Sequence, residues 1–305
     1  MIPGAGTRAL EVEVRPPSPY RLPVRGAGDG VMRVRGGAVL RLLHVDGAPI
    51  LVSAHQGAGA VRLRAQAGGG AEAEQLERGI ERMRFALSVD DDLSDFYRRF
   101  KRDRLLGPVI RRKPWLRPRR RPWPWEALAW AITKQLIESG RAAAIQRRIV
   151  WRWGPVLGDG EPGALRDVPG PERIAGLAPA ELQSCDLSAG RSLALIRAAR
   201  EIASGRVDPG RADGDRRLAA IREIGPWTLQ VLGLDGRGDP DSLPAGDLAY
   251  IKLVGRLAGL GRRATVEEVE EFFAPYEPYR GLAGTFAVVG LHKAIPAGPP
   301  LRNAA

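Results

Sequence analysis

Asp247 closes the run Leu243-Pro244-Ala245-Gly246-Asp247 and stands directly before an apolar stretch with helical spacing, Leu248 to Leu257. A carboxylate fixed at a helix start can stabilise a cation that develops beside it, or orient and deprotonate a water. The same local pattern is that of an ordinary N-cap aspartate. Twenty residues earlier, Trp227 lies in Ile224-Gly225-Pro226-Trp227-Thr228. Its indole can stack on a planar ligand and attract a cationic one, or simply pack on a helix face. Around it, Leu218 and Ile221 mark a short helix ending near Arg222, Ile224-Gly225 a tight turn, and Pro226 the first turn of a helix carrying Thr228, Leu229, Val231 and Leu232. The whole is a helix-hairpin-helix candidate at about 215–235. The backbone N–H groups of Gly225, Trp227 and Thr228 are expected to lie unpaired at a helix N-terminus, where they can hold an anion.

Other chemistries are excluded by the inventory. The chain of 305 residues has one cysteine, Cys185, so it builds no disulfide, no four-cysteine iron–sulfur cluster and no zinc site of cysteines. Its three histidines, His44, His55 and His292, do not form a His-Glu-x-x-His pair. The formal net charge of +12 is the electrostatic footprint of a nucleic-acid binder, although a chain rich in Ala, Gly and Arg acquires the same skew from coding bias. No apolar run is as long as a membrane span. The start of the chain lacks the apolar core of a leader, so a cytoplasmic location is expected.

The elements that must position these residues fall into two regions. Roughly the first 20 residues, punctuated by Pro and Gly, read as loose. From there to residue 88 the pattern is α+β. Val39 to Val45, Ile50 to Val52 and Val61 to Arg64 read as strands, with Asp46-Gly47 as a hairpin turn. Glu72 to Leu87 is helical, with Leu76, Ile80, Met83 and Leu87 on one face. Residues 89–305 read as a helical region, opened by the acidic run Asp90 to Asp95 and a basic, Trp-containing segment, Arg111 to Arg121, that could track a polyanion or lie solvated. Helices are expected at Glu126 to Leu136, from a Ser139 cap to about Trp153, at Pro179 to Leu182, at Ala189 to Ser204 with Leu193, Ile196, Ala199 and Ile202 in register, and at Arg280 to Ala294. Thr265-Val266-Glu267-Glu268 is a capping box for a helix to Phe273.

Three features in order give the chain a family likeness: Ile224-Gly225-Pro226-Trp227-Thr228, the Pro-Ala-Gly-Asp247 that follows, and Trp125-Glu126-Ala127-Leu128 with Ala131-Ile132-Thr133-Lys134-Gln135-Leu136 upstream. Together they resemble the helix-hairpin-helix/Gly-Pro-Asp superfamily of DNA glycosylases, and within it the bacterial 3-methyladenine DNA glycosylase II branch, over roughly Asp90 to His292. The resemblance implies a mainly α fold, a helical glycosylase core preceded by an N-terminal α+β domain with an antiparallel sheet. It implies excision of alkylated purines by base flipping and hydrolysis of the N-glycosidic bond, on double-stranded DNA with a damaged base and as a monomer. Asp247 takes the catalytic place. Trp227, Trp125 and Phe286 fall to the base pocket, Gln135 and Leu136 to the segment entering the duplex, and Gly225 and Thr228 to the DNA backbone. No cofactor is required, and the main-chain carbonyls of Ala219, Ile221 and Ile224 match those that hold a monovalent cation. Trp227 stands where lyase members carry a catalytic Lys, which implies base release without strand cleavage.

The chain departs from the pattern in three places. Arg222-Glu223 replace the Pro-Gly that usually opens the hairpin, adding a negative charge and a side chain where Gly is favoured. Lys134-Gln135 replaces a Gln pair. The last helix offers Phe286, Val288 and Val289 instead of a Trp and Tyr wall. A relative that binds damaged DNA without excising the base is therefore a second reading. An unrelated basic RNA-binding protein is a third, which leaves the motif spacing unexplained.

Overall fold

The Asp46-Gly47 pair turns the chain with both residues at positive φ, 47° and 79°, the geometry of a tight hairpin. In the computed structural model, which describes residues 8–68, 70–158 and 163–291, this hairpin joins the two central strands of a five-stranded antiparallel sheet. The strands are β1 (Arg8–Val14), β2 (Met32–Arg35), β3 (Ala38–Val45), β4 (Ala48–Gln56) and β5 (Val61–Ala67), in the order β1-β5-β4-β3-β2. Within the segment read as loose, Arg8–Val14 is an edge strand, paired along its whole length with β5. Its charged, alternating sequence carries a weak apolar signal, and it is recruited by an open sheet edge. Helix α1 (Ala73–Leu87) lies across the sheet with Leu76, Ile80, Met83 and Leu87 buried, the face that the spacing predicted.

The helical region follows as α2 (Ser94–Phe100), α3 (Gly107–Arg112), α4 (Pro124–Lys134), α5 (Ser139–Trp153), α6 (Pro171–Ala175), α7 (Pro179–Gln183), α8 (Ala189–Ala203), α9 (Asp215–Ala219), α10 (Pro226–Val231), α11 (Leu248–Leu257), α12 (Val266–Phe273) and α13 (Arg280–Leu291). Residues 292 to 294 of the expected last helix, and His292 with them, lie outside the described residues. Three departures from the expected helices matter. α4 stops at Lys134, two residues early, so Gln135 and Leu136 form a turn. Ser139 is the first residue of α5, and the cap position is Glu138. Leu193 is exposed on α8, whose buried face runs through Ser192, Leu195, Ile196 and Ala199. No helix among the described residues is long and apolar enough to cross a membrane.

Burial divides the molecule into three apolar cores. One lies between the sheet and α1. A central helical core is built by α4, α5, α6, α8, the residues around α9, and the start of the segment after α10, with Trp130 and Leu128 at its heart. An outer core joins α2 and α3 to α11, α12 and α13. The chain thus enters the outer core, leaves for the central one and returns, so the region read as one helical unit holds two. Asp247 stands just after the return, between Leu243 and Ala245 of the outer core and the first turn of α11.

A buried charge network ties α4 to the sheet. Arg41 of β3 donates to Glu126 at 2.7 Å and Asp167 at 2.9 Å. Arg121 donates to Asp29 at 2.7 Å and Glu126 at 3.1 Å, and Trp130 Nε1 completes Asp29 at 2.9 Å. Glu126 is fully buried, so its charge is tolerable only with these cations in place.

Candidate active site

The residues that could do chemistry meet where α4 ends, α10 begins and α11 begins. Gly225 is the N-cap of α10 in an extended conformation, and Pro226 occupies the first helical position, where its missing N–H costs nothing. A side chain at Gly225 would meet nothing within 4 Å, so the turn faces open space. The N–H of Thr228 is already given to the carbonyl of Gly225 at 3.0 Å, which removes it from the expected anion site. The N–H groups of Gly225 and Trp227 have no acceptor among the described residues.

Glu223 adopts φ 77°, the left-handed conformation that favours glycine. The hairpin therefore keeps the backbone shape of a glycine turn while carrying a glutamate. Its side chain folds back over the first turn of α8: a Cβ at Gly190 would come within 2.7 Å of Glu223 Oε1. A carboxylate is favoured at a helix start, so the added charge is directed toward α8.

Asp247 caps α11, its Oδ1 accepting the Ala249 N–H at 2.9 Å. The carboxylate is half-exposed, and Oδ2 accepts no bond from the described residues. One oxygen thus fixes the group while the other is available. The residue before it lies beside Trp227: a Cβ added at Gly246 would be 3.7 Å from Trp227 Cβ and 3.8 Å from Cδ1. The nineteen residues between Trp227 and Asp247 thus loop out and return, bringing the turn before Asp247 beside Trp227. Trp227 is half-buried, and its Nε1 is shielded from solvent without a hydrogen-bond partner. Such a donor is costly unless something supplies an acceptor.

Leu136 is the most exposed large apolar residue described, at 104% of a free side chain, and has φ 53°. It is not the buried helix leucine that its sequence context allowed. The turn that presents it is tied down. Gln135 Nε2 donates to the Glu223 carbonyl at 2.5 Å and to Thr228 Oγ1 at 2.9 Å. Gln135, expected in the segment entering the duplex, thus uses its side-chain amide within the protein, as Thr228 does its hydroxyl.

Two aromatic residues assigned to the base pocket are not brought to this cleft. Trp125 is buried in the central core at the opposite end of α4, with Nε1 bonded to the Pro169 carbonyl at 2.9 Å. Phe286 is fully buried in the outer core, 5.1 Å from the Phe96 ring and 6.4 Å from the Tyr97 ring. Both are large apolar residues for which core and pocket make the same local pattern.

Two charges were missed. Lys134 ends α4, one turn beyond Trp130, and forms no ion pair within 4 Å among the described residues. Burial pushes its ammonium below the ordinary lysine range, and Asp235 and Asp247 pull against that. Asp235, in the π-helical segment Leu232–Arg237 that continues α10, is pushed up by burial, with Lys134 opposing. Only the departure of Lys134 from the family's Gln signalled it in the sequence. The carbonyl of Ile221 accepts the Ile224 N–H at 3.0 Å, while those of Ala219 and Ile224 accept no such bond. Main-chain oxygens at this turn are therefore compatible with a cation. Among the described residues no cluster of three or more His, Cys, Asp and Glu side chains could hold a metal.

The site thus combines a helix-hairpin-helix, a capped aspartate beside it and an apolar residue projecting from the neighbouring helix end. Residues 129–278, which hold all of these elements, match the HhH-GPD superfamily of base excision DNA repair proteins. The chain is similar to a DNA-3-methyladenine glycosylase of Bacillus subtilis, 28% identical over 64% of this chain and 66% of that protein. It is also similar to AlkA of Mycobacterium tuberculosis, designated a bifunctional transcriptional activator/DNA repair enzyme, 27% identical over 97% of this chain and 60% of that one. The chain thus spans about two thirds or less of the length of these relatives. Among solved structures, a 3-methyladenine DNA glycosylase from Archaeoglobus fulgidus superposes with a TM-score of 0.77 over 94% of this chain and all of that one, at 19% identity, and shares the fold.

Proposed function

We propose that this chain is a DNA glycosylase that excises alkylated purines of the 3-methyladenine kind from duplex DNA, leaving the strand intact. The observation that carries this is the placement of the Asp247 turn beside Trp227, with one Asp247 oxygen unengaged. A flipped base can stack on the indole while its sugar lies at the carboxylate. Breaking the N-glycosidic bond leaves positive charge on the deoxyribose, which the fixed Asp247 anion stabilises. A water adds to C1′, Asp247 takes its proton, and the base departs. An alkylated purine is already cationic, so it needs no dedicated acid, and cation–π attraction to Trp227 favours it.

Leu136 fills the gap that the extruded nucleotide leaves. The Gly225 and Trp227 N–H groups hold a backbone phosphate, and a monovalent cation on the Ala219, Ile221 and Ile224 carbonyls would offset phosphate charge. Trp227 has no amine and forms no Schiff base with the sugar, which supports release without lyase action. The name of the Bacillus relative supports the lesion class.

The test uses duplexes holding 3-methyladenine, 7-methylguanine or hypoxanthine, followed by alkaline cleavage at abasic sites. Wild type should release a base, and Asp247→Asn should lose roughly a hundredfold or more while still binding DNA. Binding without release by wild type would favour a non-catalytic damage-binding protein. Strand cleavage without alkali would overturn the monofunctional assignment.

A further inference from the structure

Leu136 combines three features that oppose one another. It is apolar, fully exposed, and held at a positive φ that is unfavourable for any residue with a Cβ. A leucine on a relaxed turn would fold down onto the protein. The surrounding hydrogen bonds explain why it does not.

The guanidinium of Arg191, in the first turn of α8, donates from Nη1 to the carbonyls of Thr133 at 3.1 Å and Gln135 at 3.2 Å. These acceptors lie at the end of α4, where helix carbonyls lack intrahelical partners. The Gln135 side chain spans from the same turn to the hairpin, bonded to the Glu223 carbonyl and the Thr228 hydroxyl. Glu223 reaches Gln135 through its left-handed backbone, and its carboxylate lies beside Arg191 on the α8 turn. On the far side, Gln146 of α5 donates to Thr133 Oγ1 at 2.9 Å. The turn bearing Leu136 is thus fastened to α8 and to the hairpin by side chains that form no hydrogen bond to Asp247 or to the Trp227 side chain among the described residues.

Resting on the glycosylase reading above, we infer that Arg191 and Gln135 are positioning residues that bolt the Leu136 turn to the hairpin. The phosphate grip and the filling of the base gap then act as one pre-formed unit. Gln135 stays within the protein and does not enter the duplex. The strain at Leu136 is sustained by these bonds, so insertion requires little rearrangement of the protein.

A lesion that is already extrahelical separates this role from general damage to the fold. Single-turnover excision is measured with full-length protein on a paired lesion and on the same lesion in a one-nucleotide bulge. Arg191→Ala, Gln135→Met and Leu136→Ala should each slow the paired substrate roughly tenfold and leave the bulged one near the wild-type rate. The double variant Arg191→Ala/Leu136→Ala should be no slower than either single one, since all act through the same inserted side chain. Arg191→Lys should recover most of the rate by donating to the same carbonyls. Equal slowing on both substrates, or additive losses, would overturn the inference.

A second readout is independent of excision. A duplex with 2-aminopurine beside the lesion should brighten on binding wild type and stay dim with Arg191→Ala. Equal brightening, or none with wild type, sinks the bolt. Absence of excision by wild type with the fluorescence contrast retained would instead remove only the glycosylase assignment.

Discussion

In the proposed reaction Asp247 serves structure and chemistry with one carboxylate. Its Oδ1 caps α11 and Oδ2 is left for a substrate, so the cap that stabilises the helix also removes the freedom that would blunt an electrostatic catalyst. Glu223 presents a different compromise. A glutamate occupies a left-handed turn, and its charge is turned toward the start of α8. Glycine accepts that conformation without the Cβ clash, whereas removing the carboxylate forfeits a favourable helix-start interaction of about 0.3–1 kcal/mol. Glu223→Gly should therefore raise stability by up to about 1 kcal/mol, read from urea unfolding. Its affinity for undamaged DNA should change little, because the carboxylate faces away from the Gly225 turn. A large gain in affinity would show that the charge reaches the phosphate site after all.

The elements around the site end where the chemistry needs them to end. α4 stops at Lys134 because Gln135 is drawn to the hairpin, and the π-helical continuation of α10 keeps Asp235 on the side facing α4. π-bulges of this kind often accompany functional sites. The basic segment before α4 is put to internal use: Arg112 and Lys113 bond carbonyls of Gly290 and Val289, Arg117 that of Pro19, Arg120 pairs with Asp91 and Arg121 with Asp29 and Glu126. Its charge fastens layers together, which the sequence could not distinguish from a DNA-tracking strip. α12 is held at its start by a reciprocal box, Glu268 N–H to Thr265 Oγ1 at 3.2 Å and Thr265 N–H to Glu268 Oε2 at 2.7 Å. Thr265→Ala should cost about 1 kcal/mol in thermal or chemical unfolding, with base release unchanged. A loss of activity from this variant would place α12 closer to the chemistry than its packing does.

Across the whole molecule, the sheet and the central helical core are joined by charges that leave water together. Asp29 is the clearest: burial pushes its carboxyl up, and Arg121, Arg41 and the Val31 N–H outweigh that and hold it below its ordinary 3.8. An acid depressed in the folded state contributes stability above its ordinary value, and that contribution is lost as pH falls through the folded one. Stability should therefore decline as pH drops below 3.8. Asp29→Asn should lower stability at neutral pH and flatten this acid limb, as followed by urea midpoints across pH. An unchanged acid limb would assign it to other groups, Glu201 foremost, whose carboxyl the Arg206 and Arg217 guanidiniums hold at about 2.

Much of this was legible in the linear sequence because it depends on local rules. The hairpin at Asp46-Gly47, the buried face of α1, the start of α11 at Leu248 and the Thr265 box follow from turn chemistry, periodicity and capping, which need only neighbouring residues. The place of Asp247 and Trp227 was likewise readable from motif order. What the tertiary structure decided was which apolar and polar side chains face each other across the fold. Trp125 and Phe286 went to the cores, Leu136 to full exposure, and Gln135 and Thr228 to one another. Burial, pairing and a left-handed backbone at Leu136 and Glu223 are set by residues distant in sequence. The Asp247 turn comes to lie beside Trp227 only once the chain has left the outer core, built the central one and returned.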